Sequence, residues 1–108
     1  MPKEPVAADP TTLPGLQQLI REMYLPRDEE RGVEGTFMWL VEEIGELATA
    51  LQNNAPGTTP TPQQRANLDE EFADVLAWLC TLANINDVDL ATAITNKYLS
   101  DKPPVGHK

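Results

Sequence analysis

The chain has 108 residues and a formal net charge of −9, from seventeen acidic and eight basic side chains. This length suits one domain and is too short for two. A surface with this excess of acids would repel nucleic acid, and a phosphate ligand would need a metal ion as mediator. A single cysteine, Cys80, excludes an internal disulfide, and no apolar run is long enough to enter a membrane, which together predict a cytoplasmic protein.

The amino-terminal third of the chain predicts a disordered segment, a helix and a loop. Residues 1–11 are rich in proline and poor in apolar side chains, which is typical of a disordered lead-in. Apolar residues then recur at helical spacing, so we expect a first helix from a Thr12 cap to Pro26. The charged stretch from Pro26 to Gly35 contains two glycines and is predicted to be a loop.

Two amphipathic helices are predicted in the middle of the chain, each with an apolar stripe expected to face the core. The second helix should run from about Thr36 to Gln52, with a stripe made of Phe37, Leu40, Val41, Ile44, Leu47, Ala48 and Leu51. The third should begin at a capping box at Thr61 and reach about Asn84. Its stripe consists of Leu68, Phe72, Val75, Leu76, Leu79, Leu82 and Ala83.

A fourth helix should follow a cap at Asp87 or Asp89 and end at the Lys102-Pro103-Pro104 run, which leaves a tail over residues 102–108. No segment alternates with the period of a half-buried strand. The predicted fold is therefore all-α, a four-helix bundle of antiparallel helix pairs that occupies residues 12–101.

Two pairs of acids lie one helical turn apart, Glu43 with Glu46 on the second helix and Glu71 with Asp74 on the third. At about 100° per residue, both pairs flank the apolar stripes at the same angles. Antiparallel packing would bring the four carboxylates together at the edge of the core. Like charges so close would raise each other's pKa unless a divalent cation bound there.

Four further residues are candidates beside these acids. Glu42 and Glu70 fall almost opposite the stripes, so we expect them to face solvent, where either can orient a water. Trp39 and Trp78 fall on the acidic flank at one end of the acid group. They predict a flat wall on which a nucleobase would stack, and the alternative is that they pack against another helix or a subunit.

Basic groups that could meet phosphates are few: Arg21, Arg27, Arg31, Arg65 and Lys97. Lys97 is the strongest candidate for substrate binding. It precedes the end of the fourth helix, where a lysine also complements the helix dipole, so both interpretations stay open.

The run from Leu40 to Ala48, which contains Glu-Glu-x-x-Glu, and the following Glu71-x-x-Asp74 resemble the signature of the MazG-like all-α nucleoside triphosphate pyrophosphohydrolases. The resemblance covers roughly residues 12–101. It implies hydrolysis of an NTP or dNTP to the monophosphate and pyrophosphate by a homodimer or homotetramer. It also implies Mg²⁺, or Mn²⁺ in its place, held by Glu43, Glu46, Glu71 and Asp74.

Such acids can support in-line attack on the α-phosphorus by a metal-activated water, with Glu46 or Glu42 as the group that accepts the proton. Two alternatives remain: a non-catalytic helical module that binds metal and nucleotide, and a relative closer to dUTPases or phosphoribosyl-ATP pyrophosphohydrolases. A di-iron carboxylate bundle is disfavoured, because such sites use Glu-x-x-His pairs and the only histidine is His107.

Overall fold

A computed structural model describes residues 9–100, which form helices and no strand. The all-α prediction is therefore confirmed for this part of the chain. The helices are α1 (Leu13–Asn53), α2 (Pro62–Ile85) and α3 (Leu90–Tyr98). Most of the predicted lead-in, residues 1–8, and the predicted tail with His107 lie outside the described residues, and the proposed domain boundaries stay a prediction.

α1 covers the first two predicted helices together with the stretch between them, so the loop predicted from Pro26 to Gly35 is wrong. Pro26 lies inside the helix and deprives the Glu22 carbonyl of its helical donor. Both residues are exposed, so water can satisfy that carbonyl. α1 is interrupted only at Gly32, whose φ of 81° and ψ of 176° suit glycine. The predicted count of four helices is not confirmed: residues 9–100 form three helices, and the first consists of two helical parts that meet at the kink at Gly32.

The predicted helix starts at Thr12, Thr61 and Asp89 are confirmed, whereas the start predicted at about Thr36 lies inside α1. Thr12 and Asp89 each accept a backbone N–H through a side-chain oxygen at 3.2 Å. Thr61 accepts the backbone N–H of Gln64 at 3.1 Å, and the Gln64 side chain accepts that of Thr61 at 2.9 Å. These bonds satisfy donors that lack helical partners in the first turn, and so they place each helix start at a defined residue.

α1 and α2 do not pack through their predicted apolar stripes. Leu40 and Leu68 are buried as predicted, but the core also takes in polar residues such as Thr36 and Glu71. Much of the two stripes is exposed: Phe37, Val41, Ile44, Leu51, Phe72, Leu76 and Leu79. The prediction that both whole stripes face a core within one chain is therefore wrong. The two helices instead turn their acidic flanks toward each other.

The turn between α2 and α3 is fastened to α1 by one glutamine. The Gln17 amide donates to Asn84 Oδ1 at 3.0 Å and to the Val88 carbonyl at 2.7 Å, and its oxygen accepts from the Leu90 backbone at 2.9 Å. Asn84 is buried and donates in return to the Gln17 carbonyl at 3.2 Å. This network holds α3 against α1. Over residues 9–100, none of the helices has a stretch long and apolar enough to span a membrane.

Candidate metal centre

Three carboxylates meet where the acidic flanks of α1 and α2 face each other. One oxygen each from Glu43, Glu46 and Glu71 lies within 4.8 Å of the others, and we call these residues the carboxylate cluster. Glu71 is buried, Glu43 is half-buried and Glu46 is exposed, so the cluster opens toward solvent at one side. Oxygen ligands gathered in this way suit a hard divalent cation such as Mg²⁺.

Asp74, the predicted fourth ligand, is exposed and does not belong to this close group of three. It lies near enough for its charge to raise the pKa of both Glu43 and Glu71. Glu42 and Glu70 are exposed, as their wheel positions indicated. The structure thus separates a cluster of three from a neighbouring acid and from two acids that face solvent.

The electrostatics of the cluster show that its negative charge is unfavourable without a cation. Burial, followed by the charges of Glu46 and Asp74, raises the pKa of Glu43 to about 7. Burial also raises the pKa of Glu71, although a hydrogen bond from Asn67 opposes the shift. Desolvation and like charges both favour the protonated acid.

Two buried carboxylate oxygens of cluster residues, Glu43 Oε2 and Glu71 Oε2, have no hydrogen-bond partner within the described part of the chain. An unpaired buried carboxylate oxygen is costly, and a divalent cation would supply the missing partner. The residues present therefore fit a divalent cation.

Asn67 is a positioning residue that sequence reasoning missed. It lies one helical turn before Glu71 on α2, and its amide donates to Glu71 Oε1 at 3.2 Å. The bond occupies one carboxylate oxygen, and Oε2 is left without a partner over residues 9–100. The i,i+4 spacing of Asn67 and Glu71 was the available signal, because side chains at that spacing meet on a helix.

The two tryptophans lie together, as predicted from their angular positions on the two helices. Their ring centroids are 6.0 Å apart and the ring planes differ by 12°, so the indoles stack on each other. The guanidinium carbon of Arg31 lies 4.9 Å from the centroid of Trp78. A base could not enter between Trp39 and Trp78 without separating them. Trp39 is 47% exposed, which leaves part of its surface open to a ligand.

Lys97 belongs to α3, whereas the residues of the carboxylate cluster belong to α1 and α2. It is exposed in the last turn of α3, and its amino group is 5.4 Å from the centroid of the Tyr98 ring. Lys97 is not a member of the carboxylate cluster, and its charge is not among the causes of the raised pKa values of Glu43 and Glu71. Its role in substrate binding stays a prediction.

A pocket of about 280 Å³ adjoins the acids through Asp74, and we call it the side pocket. It is lined by Ile20, Tyr24, Arg27, Asp28, Arg31, Asp74, Ala77, Trp78 and Thr81. Sequence reasoning missed Asp28, because that residue fell in the predicted loop. The signal was the spacing of Asp28 and Arg31, which on a helix brings the two side chains together.

Arg31 ties the side pocket to the break in α1. It donates to Asp28 Oδ1 at 3.1 Å and to Thr36 Oγ1 at 3.4 Å. The Thr36 hydroxyl donates in turn to the Gly32 carbonyl at 2.7 Å. Thr36 is fully buried, so this chain of bonds satisfies polar groups that the break would otherwise leave unpaired.

For the metal-free protein we expect the free energy of unfolding to fall as the pH rises from about 5 to about 7. Between the ordinary carboxyl pKa of 4.5 and the folded value of about 7, Glu43 holds a proton in the folded state that the unfolded chain has released. Raising the pH removes that proton and lowers stability. Urea unfolding in a chelator should show this slope, and Glu43→Gln should flatten it. A slope unchanged by Glu43→Gln, or flattened equally by the exposed control Glu42→Gln, would contradict this assignment.

The helices and the cluster define a class of protein, an all-α domain with carboxylates gathered between two packed helices. The sequence model of the MazG nucleotide pyrophosphohydrolase domain matches residues 31–105. The chain belongs to the MazG nucleotide pyrophosphohydrolase family, and the resemblance noted in the sequence is confirmed.

Curated relatives agree with this family assignment. The chain is 37% identical to dCTP pyrophosphatase 1 of Homo sapiens, and equally to that of Mus musculus, in a 92-residue alignment; the match covers 80% of this chain and 54% of each relative. The Bos taurus protein of the same name is 36% identical over the same length. The chain thus spans about half the length of the curated relatives it matches.

Proposed function

We propose that this protein is a Mg²⁺-dependent pyrophosphohydrolase that converts a nucleoside or deoxynucleoside triphosphate to its monophosphate and pyrophosphate. The observation that carries the proposal is the carboxylate cluster, in which acids from two helices of a MazG-family domain converge and two buried oxygens have no partner in the described structure. Because the matched relatives are named dCTP pyrophosphatases, dCTP is the first substrate to test.

The residues that would hold the cation are Glu43, Glu46, Glu71 and Asp74. When bound, a divalent cation would neutralise charge on the triphosphate and make a water molecule more acidic. Glu46 is exposed at the open side of the cluster, which suits it to accept the proton of the attacking water. Glu42, exposed on the same helix, is the second candidate for that proton. Trp39, Trp78 and Lys97 are the proposed substrate contacts.

A screen for pyrophosphate release tests this function. Canonical and modified nucleoside triphosphates would be incubated with Mg²⁺ or Mn²⁺, and the Glu71→Gln variant would serve as the blank. Release from dCTP or another member of the panel, well above the blank, is the expected result. Nucleotide binding with no release across the panel would contradict hydrolysis and support the non-catalytic binding module.

We also propose that the exposed apolar stripes of α1 and α2 are covered by a second copy of the chain. Within residues 9–100, six apolar residues are buried, whereas the stripes leave large side chains such as Phe72 and Leu76 open. A core this thin gains stability when an apolar face is buried by association. The same proposal makes the protein a homodimer or homotetramer.

The assembly should be dimeric or tetrameric by light scattering, and Leu76→Glu should shift it to the monomer because a charge would be buried in an apolar interface. Leu99→Glu is the matched control, since Leu99 is also an exposed leucine but lies after α3, outside both stripes. A wild-type monomer, or equal dissociation in both variants, would contradict the assignment of this surface.

The setting proposed for this activity is the cytoplasm, with small nucleotides and no nucleic acid polymer as partners. Cys80 is a free, buried thiol whose pKa is raised by desolvation, which fits an inert side chain in a reducing compartment. The net charge of −9 supports a ligand that reaches the protein with its own cation.

A further inference from the structure

Asp28 is a buried acid that the proposed hydrolysis does not use. Its residue surface is 2% exposed, and Arg31 donates to Oδ1 at 3.1 Å. The other oxygen, Oδ2, is buried and has no hydrogen-bond partner among the described residues. This carboxylate oxygen can accept a hydrogen bond but has no donor beside it within residues 9–100. A ligand with an N–H group would supply that donor.

The side pocket offers the place for such a ligand, since Asp28 is one of its lining residues. Its charged lining consists of two arginines, Arg27 and Arg31, and two acids, Asp28 and Asp74, which balance formally. A phosphate here would face both carboxylates. An uncharged ring with polar edges suits the pocket better, and Trp78 supplies an aromatic wall.

The position of the pocket relates it to the carboxylate cluster. Asp74 lines the pocket and also acts electrostatically on Glu43 and Glu71. A nucleotide with its base in the side pocket would therefore extend its phosphates toward the cluster. The pocket volume of about 280 Å³ is small for a whole nucleotide and leaves the triphosphate outside.

We propose that Asp28 is the residue that selects the base, by accepting a hydrogen bond from an exocyclic amino group held in the side pocket. Bases that carry such a group, as cytosine does at its 4-position, are then preferred to bases with a carbonyl oxygen there, as in uracil. The Asp28 carboxylate cannot donate a hydrogen bond, and neither can the 4-carbonyl oxygen of uracil. The two groups would therefore face each other with no hydrogen between them. This inference rests on the proposed function and names the specificity determinant of that same site.

The first experiment uses the wild-type protein. Its kcat/KM would be compared for dCTP, for dUTP and for the 2-pyrimidinone analogue, in which a hydrogen replaces the 4-amino group. Loss of one hydrogen bond to a charged group should lower kcat/KM about 10- to 100-fold for the analogue and at least as much for dUTP. Equal values for the three nucleotides, or a preference for dUTP, would overturn the proposal.

The second experiment exchanges the acceptor for a donor. In Asp28→Asn, Arg31 should hold the amide oxygen, so that the amide NH₂ takes the position of Oδ2 and can donate to a carbonyl. The ratio of kcat/KM for dCTP to that for dUTP should fall about 10- to 100-fold. Asp69→Asn is the matched control, because Asp69 is an exposed acid paired with Arg65 at 3.9 Å. A ratio that stays at the wild-type value in Asp28→Asn would overturn the proposal.

A third readout separates the base selection from the hydrolysis. Binding of dCMP and dUMP by calorimetry needs no metal and no turnover. Tighter binding of dCMP by the wild type, lost in Asp28→Asn, supports the base-reading role even if the screen finds no pyrophosphate release. Equal binding of both monophosphates, or binding of neither, overturns it. Should Asp28→Asn fail to fold, the wild-type comparisons decide the question alone.

Discussion

Replacing Glu71 by Gln is expected to lower pyrophosphate release by about 10³-fold while helix content stays unchanged. Glu71 belongs to the carboxylate cluster, and its buried Oε2 has no hydrogen-bond partner among residues 9–100. The substitution keeps the shape of the side chain and an acceptor for Asn67, but it removes the charge that would hold a cation. Activity would be followed as pyrophosphate release at saturating Mg²⁺, and helix content by circular dichroism.

The stability of Glu71→Gln gives a second readout that a structural role would not produce. Burial raises the pKa of Glu71, so the ionised side chain is unfavourable in the metal-free fold. The neutral variant should therefore melt at the same temperature as the metal-free wild type or at a higher one. Melting at a clearly lower temperature would mark Glu71 as an acid needed for folding.

Glu70→Gln is the matched control for this loss. Glu70 is the preceding residue on the same helix, carries the same charge and is exposed, outside the carboxylate cluster. Its replacement should leave pyrophosphate release close to the wild-type rate. Equal losses in the two variants would show that the net charge of α2, and not the cluster, controls activity.

The local features of this fold could be read from the sequence, because their causes are local. The caps at Thr12, Thr61 and Asp89 follow from short polar side chains placed before apolar runs. The convergence of Glu43 and Glu71 followed from matching angles on two helices. The caps needed only the residues at each helix start, and the convergence needed helical periodicity together with antiparallel packing of the two helices.

The partner of each helix face could not be read in the same way. Periodicity shows that Phe72 and Ile44 need cover, but it does not say whether another helix of the chain or another chain provides it. In the structure, the acidic flanks of α1 and α2 face each other, and these apolar residues are exposed. The burial of Glu71 beside an exposed Phe72 agrees with the cation and the second copy of the chain proposed above.

The segment around Gly32 was misread because local side-chain hydrogen bonds support a helical path despite its loop-like composition. Pro26 and the glycines predict an interruption, but the helix continues through Asp28 and breaks at a single residue. Arg31 and Thr36 stabilise this path with hydrogen bonds that appear only once the helix exists. Asp28 was missed for the same reason.

Removing divalent cations should abolish pyrophosphate release, and adding Mg²⁺ or Mn²⁺ should restore it. Without a cation, Glu43 and Glu71 face each other with raised pKa values, and each has a buried oxygen that no described residue pairs. A cation that binds only the folded state would stabilise it by about 2.7 kcal/mol at a concentration 100 times its dissociation constant. Activity and melting temperature would be measured after dialysis against a chelator and again after Mg²⁺ addition.

The rise in melting temperature with Mg²⁺ should grow as the pH increases toward about 7, because the cation competes with the proton that Glu43 holds at lower pH. The rise should be much smaller in Glu71→Gln and fully present in Glu70→Gln. Activity that persists in the chelator would contradict metal dependence. An equal rise in all three proteins would place the bound cation away from the carboxylate cluster, since only one of the two substitutions removes a cluster oxygen.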